Sequence, residues 1–113
     1  MATAISVSYM NNLKVIQQLS FSNPDQLIII DFYATWCSPC KTLAPKLEEL
    51  AKTMPSIKFY RTDVDDELAA DIVSVFQFAS LPTLVYYRGS KEVGRTTGAN
   101  IETVLAKIQE LTA

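Results

Sequence analysis

The spacing of apolar residues along this chain switches between a period of about two and a period of about 3.6, the signatures of strand and helix. Residues 4–10, AISVSYM, alternate loosely and predict a first strand. Residues 11–23, NNLKVIQQLSFSN, follow with Leu13 and Ile16 at helical spacing, and either Asn11 or Asn12 can cap that helix. NPDQ is a turn. Residues 27–34, LIIIDFYA, form a continuous apolar run rich in β-branched and aromatic side chains, the pattern of a strand buried on both faces. Leu43, Leu47, Leu50 and Met54 then recur at i, i+4, i+7 and i+11, one apolar stripe along a long helix. IKFYRTDV predicts a third strand. Asp65 or Asp66 can cap the next helix, whose inner face carries Leu68, Ala69, Ile72, Val73 and Phe76. TLVYY and KEVGRTT flank RGS and predict a hairpin. Asn100 can cap a last helix with Ile101, Val104, Leu105, Ile108 and Leu111 inward.

The order is therefore βαβαβαββα. Strands separated by helices pair in parallel through crossovers, and the late hairpin is antiparallel. An α/β fold follows, a three-layer α/β/α sandwich around a mixed sheet. The 113 residues suit a single domain, 1–113, without linker or internal repeat.

Composition narrows the function. A hydrophobic fraction of 49% excludes intrinsic disorder as the general state of the chain. The formal net charge is −2, and the ten Lys and Arg form no run. That speaks against nucleic acid or an anionic membrane surface as partner, because both need a basic face. The start, MATAISVSYM, lacks the basic n-region and apolar h-region of a secretion signal. LIII is too short to span a bilayer. The expectation is a soluble cytoplasmic protein.

The chemistry concentrates in DFYATWCSPCK, which holds the two cysteines of the chain, Cys37 and Cys40. A tetrahedral zinc site needs four ligands, and two cysteines with no histidine do not supply them. A carboxylate-completed site, or an iron–sulfur cluster shared between chains, remains as the metal alternative. As a structural staple the pair is poorly placed, because a disulfide across so short a loop removes little unfolded-state entropy. Two unrelated buried thiols are the plainest alternative. The redox reading fits the local physics best. A cysteine at a strand-to-helix junction sits among unpaired N–H groups at the positive end of the helix, which stabilise its thiolate. A second thiol one turn later can reach back to it, and C-x-x-C beside a βαβ pattern is a redox signal.

Ile30-Asp31-Phe32 followed by Trp36-Cys37-Ser38-Pro39-Cys40-Lys41 resembles the active site of the thioredoxin family. The resemblance runs on through Ala44-Pro45, TDVDDE, Leu81-Pro82-Thr83, Gly89 and TGAN, in order and over essentially the whole chain. It implies a thioredoxin fold and a general protein disulfide reductase. Cys37 is then the attacking thiolate and Cys40 resolves the mixed disulfide. Asp31, which spacing alone reads as a solvated strand-end carboxylate, becomes a buried group that moves a proton to or from Cys40. Leu81-Pro82, which sequence statistics make trans, becomes a cis turn beside the disulfide. Trp36, Leu81, Pro82, Gly98 and Ala99 form the substrate-contact surface. Pro39 starts the helix and stiffens the disulfide ring, while Pro45 interrupts the helix as an architectural element.

Three positions depart from common family patterns. Ser38 stands where most relatives have Gly, so it either tunes the Cys37 sulfur or is neutral. Arg61 stands where bacterial relatives carry a lysine. It cannot give up its proton, so it is assigned no part in proton exchange and is read as extending to solvent. Tyr33 replaces a frequent Trp and fills the same aromatic site. The resemblance implies no bound cofactor, because the dithiol carries the electrons. It implies a monomer that takes electrons from an NADPH-dependent thioredoxin reductase and passes them to peroxiredoxins, methionine sulfoxide reductases or ribonucleotide reductase. The alternatives are a disulfide isomerase-like domain, disfavoured because no His lies between the cysteines, and a thioredoxin-fold binding subunit whose effect survives loss of both thiols.

Overall fold

The computed structural model describes residues 6–113. Strands β1 (Val7–Tyr9), β2 (Ile28–Tyr33), β3 (Lys58–Asp63), β4 (Thr83–Arg88) and β5 (Lys91–Thr97) form one sheet in the order β1-β3-β2-β4-β5. β1, β3 and β2 run parallel, whereas β4 is antiparallel to β2 and to β5. Helices α1 (Leu13–Ser22), α2 (Ser38–Lys52), α3 (Ala70–Phe76) and α4 (Ile101–Thr112) complete the predicted order. Of the predicted first strand, Ala4 and Ile5 lie outside the described residues.

The central strand shows why the apolar run has no alternation. Ile28, Ile29 and Ile30 are all fully buried, because both faces of the sheet are covered. On one face Ile29, Phe59, Leu84 and Tyr86 pack against Leu43 and Leu47 of α2 and Val104 and Ile108 of α4. On the other, Ile28, Ile30, Phe32, Val85 and Tyr87 pack against Ile16 of α1 and Ile72 and Phe76 of α3.

The caps are local and specific. Asn12 Oδ1 accepts from the Lys14 and Val15 N–H groups, and Asn100 Oδ1 from Glu102 N–H. Asp66, not Asp65, caps the third helical segment through Leu68 N–H. That segment begins as a 3-10 turn, Glu67–Ala69, before α3. The tighter winding shifts the phase of the stripe. Ala69, Ile72 and Phe76 are buried, but Leu68 is 78% exposed, which corrects the inward placement expected for it. At the β4–β5 hairpin Gly89 and Ser90 have φ of 61° and 64°, the left-handed pair that a two-residue turn of this twist requires.

Candidate active site

β2 ends at Tyr33 and α2 begins at Ser38, so the intervening turn sets Cys37 at the helix cap. Cys37 N–H donates to Ala34 O at 3.1 Å and closes that turn. Cys37 Sγ accepts from Cys40 N–H at 3.3 Å, the role that a Ser or Asp oxygen plays at an ordinary N-cap. Pro39 is the second helical residue, where a missing N–H leaves nothing unpaired. Cys37 and Cys40 are joined in a disulfide with Cα atoms 5.3 Å apart. Ser38 is exposed and engages α2 through its carbonyl, which accepts from Thr42 Oγ1 at 3.3 Å.

The two sulfur-bearing residues differ in access. Cys37 lines an open groove of about 530 Å³, with Trp36, Ser38 and Pro39 on one side and Phe78, Ala79, Ser80 and Leu81 on the other. Cys40 does not line it; both residues are buried overall, Cys37 5% and Cys40 2% exposed, so it is the groove that separates them. Trp36 is 69% exposed, and its Nε1–H donates to Asp65 Oδ2 at 2.8 Å, which holds the indole at the rim.

The expected contact residues fall in three positions. Trp36 and Leu81 line the groove, and Leu81 packs against the Ala34–Cys37–Cys40 cluster. Pro82 follows a cis bond, is buried, and lies one residue behind the groove wall. Gly98 flanks it, donating from its N–H to Pro82 O at 3.0 Å with φ of 89°, a value that favours glycine. Ala99 follows, partly exposed, with one side packed against the core that α2 and α4 form on the sheet. Sequence reasoning missed Phe78, Ala79 and Ser80. No periodicity marks them; the available signal was an irregular QFAS tract between a helix and a Leu-Pro turn.

Asp31 sits mid-strand on the α2 side of the sheet, with Arg61 opposite in β3 and Leu84 opposite in β4. It is 1% exposed, not a solvated strand end. It borders a cavity of about 350 Å³ with Ala44, Pro45, Glu48 and Arg61. Ala44, one helical turn beyond Cys40, lines this cavity, whereas Cys40 itself does not. Pro45 has no N–H to offer Lys41 O, and the helical ladder is interrupted at this cavity. Asp31 Oδ1 and Arg61 Nε are both buried without a hydrogen-bond partner. Burial raises the Asp31 pKa from 3.8 to about 7, and the nearby Arg61 charge opposes that rise. Arg61 does not simply reach into solvent: its guanidinium lies over the Tyr33 ring, 4.0 Å from the centroid. The stack keeps a fixed positive charge on the Asp31 side.

The arrangement combines a sulfur at a helix N-terminus, a second sulfur bonded to it, and a buried carboxyl whose pKa lies near neutrality. Comparison with known proteins agrees with it. The thioredoxin family model matches residues 6–110. Thioredoxin-2 of Saccharomyces cerevisiae is 42% identical over 81 residues, 72% of this chain and 76% of that protein. The structure of the Malassezia sympodialis thioredoxin superposes with a TM-score of 0.86 at 27% identity, covering 100% of this chain and 96% of the other. A structure concerned with thiol resolution in yeast mitochondrial 1-Cys peroxiredoxin by glutathione and thioredoxin systems superposes with a TM-score of 0.82 at 30% identity, covering 93% and 95%. The chain belongs to the thioredoxin family and carries that family's protein-disulfide oxidoreductase site at Cys37 and Cys40.

Proposed function

We propose that Cys37 is the attacking sulfur and Cys40 the resolving one. The observation that supports this assignment is that Cys37 lines the open groove and Cys40 does not. In the reduced protein the Cys37 thiolate, stabilised by the end of α2, attacks one sulfur of a target disulfide. A Cys37–target bond forms and the other target sulfur leaves as a thiolate. Cys40 then gives up its proton, and its thiolate attacks Cys37 Sγ. The second target sulfur departs, two electrons have passed to the target, and the Cys37–Cys40 disulfide remains. A carboxyl with a pKa of about 7 is matched to accept and return the Cys40 proton at neutral pH, so Asp31 is assigned that role.

The substrate is read as an extended protein segment laid between Trp36 and the Phe78–Leu81 wall, with Pro82 and Gly98 setting the wall's far end. Ser38 and Pro39 shape the rim beside the sulfur. The cycle is closed by an NADPH-dependent thioredoxin reductase. Peroxiredoxins are the first class of recipient to test, given the similarity to a protein of a thioredoxin–peroxiredoxin system. Methionine sulfoxide reductases and ribonucleotide reductase follow as recipients of the same chemistry. Among the described residues no helix is long and apolar enough to cross a membrane. The cytoplasm, which keeps dithiols reduced, is the proposed site of action.

The test is insulin-disulfide reduction coupled to NADPH oxidation through thioredoxin reductase. The proposal expects turnover that depends on the protein and is abolished in Cys37→Ser. Turnover that survives this substitution contradicts it.

A further inference from the structure

Beyond the cysteines, a clasp made from β5 grips the chain just before the groove wall opposite Trp36. The β4–β5 ladder contains a register shift: Tyr86 pairs with Gly94, but Tyr87 pairs with Glu92. Residues three apart on a regular strand point to opposite faces. The extra residue puts Glu92 opposite Tyr87 and Arg95 opposite Val85, and Tyr87 and Val85 share the face that packs on α3. Glu92 and Arg95 therefore emerge on the same side. Arg95 Nε and Nη2 donate to the two Glu92 carboxylate oxygens, each at 2.8 Å.

The fork has donors left over, and they go to the end of α3. Arg95 Nη2 also donates to Phe76 O at 2.5 Å, and Nη1 donates to Gln77 O. These are carbonyls at a helix C-terminus, where a cation is favoured. Gln77 is also where the chain turns out of α3, with φ of 39°, a left-handed conformation that a non-glycine residue holds only under restraint. The wall residues Phe78, Ala79, Ser80 and Leu81 follow directly. Downstream, Thr83 Oγ1 donates to Ser80 O at 2.6 Å, and Phe78 stacks on Phe32 with ring centroids 4.9 Å apart.

We infer that Arg95, oriented by Glu92 through the β5 bulge, is a positioning residue for protein substrates: it locks the Gln77 turn and so presets the Phe78–Leu81 wall of the groove. The inference rests on the reading that protein disulfides approach Cys37 across this groove. Without the clasp the wall samples other conformations, and apparent affinity for an extended segment falls in proportion to the competent fraction. A small disulfide that reaches Cys37 without lying against the wall is insensitive to this.

Reduced wild type, Arg95→Leu, Arg95→Lys and Glu92→Gln are compared on insulin, coupled to NADPH through thioredoxin reductase, and on dithiobis(nitrobenzoate) in a single-turnover reaction. Arg95→Leu is expected to raise KM for insulin about five- to tenfold with kcat largely kept, while the rate with the small disulfide stays within about twofold. Arg95→Lys keeps the charge but loses the fork, so it recovers only part of the KM; Glu92→Gln falls between. Unchanged KM for insulin in both Arg95 variants overturns the inference. So does an equal loss on both substrates, which marks a merely structural residue. Wild type that reduces the small disulfide but not insulin contradicts the underlying reading instead.

Discussion

Asp31→Asn tests whether the buried carboxyl behaves as its surroundings require. In the unfolded chain Asp31 titrates at about 3.8; in the fold, burial moves it to about 7. At about 1.36 kcal/mol per pH unit, this difference corresponds to about 4 kcal/mol. The sign follows from proton binding. Between the two values the folded state holds a proton that the unfolded state has released, so stability falls as pH rises. The favourable contribution is whole below the unfolded value and lost once pH passes about 7. An Asn at this position carries no charge to desolvate, and Asp31 Oδ1 already lacks a partner, so no hydrogen bond of that atom is sacrificed. Asp31→Asn is therefore expected to match wild type near pH 4 and to exceed it by about 2–4 kcal/mol near pH 8. Guanidinium unfolding of the oxidised protein across that range measures this, with the thiols held out of the titration. Asp66 has a lowered pKa through its bonds to Tyr9, Leu68 and Asn11, so its contribution has the opposite pH dependence. It is present in both proteins and cancels in the difference. The same substitution should slow turnover near neutral pH. A variant no more stable than wild type near pH 8, with an unchanged rate, would refute the argument.

Arg61→Leu removes the charge that opposes the rise at Asp31, so the Asp31-linked inflection in the pH–rate profile should move upward by about one pH unit or less. A downward move would show that Arg61 acts otherwise. Phe78→Ala removes the stack on Phe32 and one groove wall residue, and should raise KM for insulin while leaving attack on a small disulfide intact. Ser38→Gly should lower the reduction potential by at most about 40 mV, the scale of one hydrogen bond to a charged sulfur, as read by equilibration against a glutathione couple. A rise rejects a tuning hydroxyl. No change fits the exposed position of Ser38.

The parts legible in the sequence were those governed by local rules. The Ile28–Ile30 run announced a strand covered on both faces, and Asn100 and the Asn11–Asn12 pair announced their helices through cap chemistry, the pair without telling which of the two caps. Cys37 and Cys40 declared a redox pair through spacing and their place before a helix. Leu68 was misplaced because a 3-10 turn shifts the helical phase, and an Asp cap looks the same before either winding. Asp31 was ambiguous because its burial depends on α2 crossing above it, a tertiary fact. Its assignment, like the cis bond at Pro82, came from family resemblance. Phe78, Ala79 and Ser80 carry no periodic signal; they reach the site because the chain must travel from α3 to β4 past Cys37. The Arg95 clasp was hidden because it needs a bulge that no composition rule announces.

The most direct test of the central claim is covalent trapping. Cys37→Ser and Cys40→Ser proteins are exposed to a disulfide-bonded protein target, quenched at low pH and mapped by peptide mass spectrometry. With Cys40 replaced, attack survives and resolution is lost, so a stable mixed disulfide should accumulate with the target bound to Cys37. With Cys37 replaced, the buried Cys40 should trap little or nothing. Accumulation of the adduct on Cys40 in the Cys37→Ser protein, with none on Cys37 in the other, would contradict the assignment.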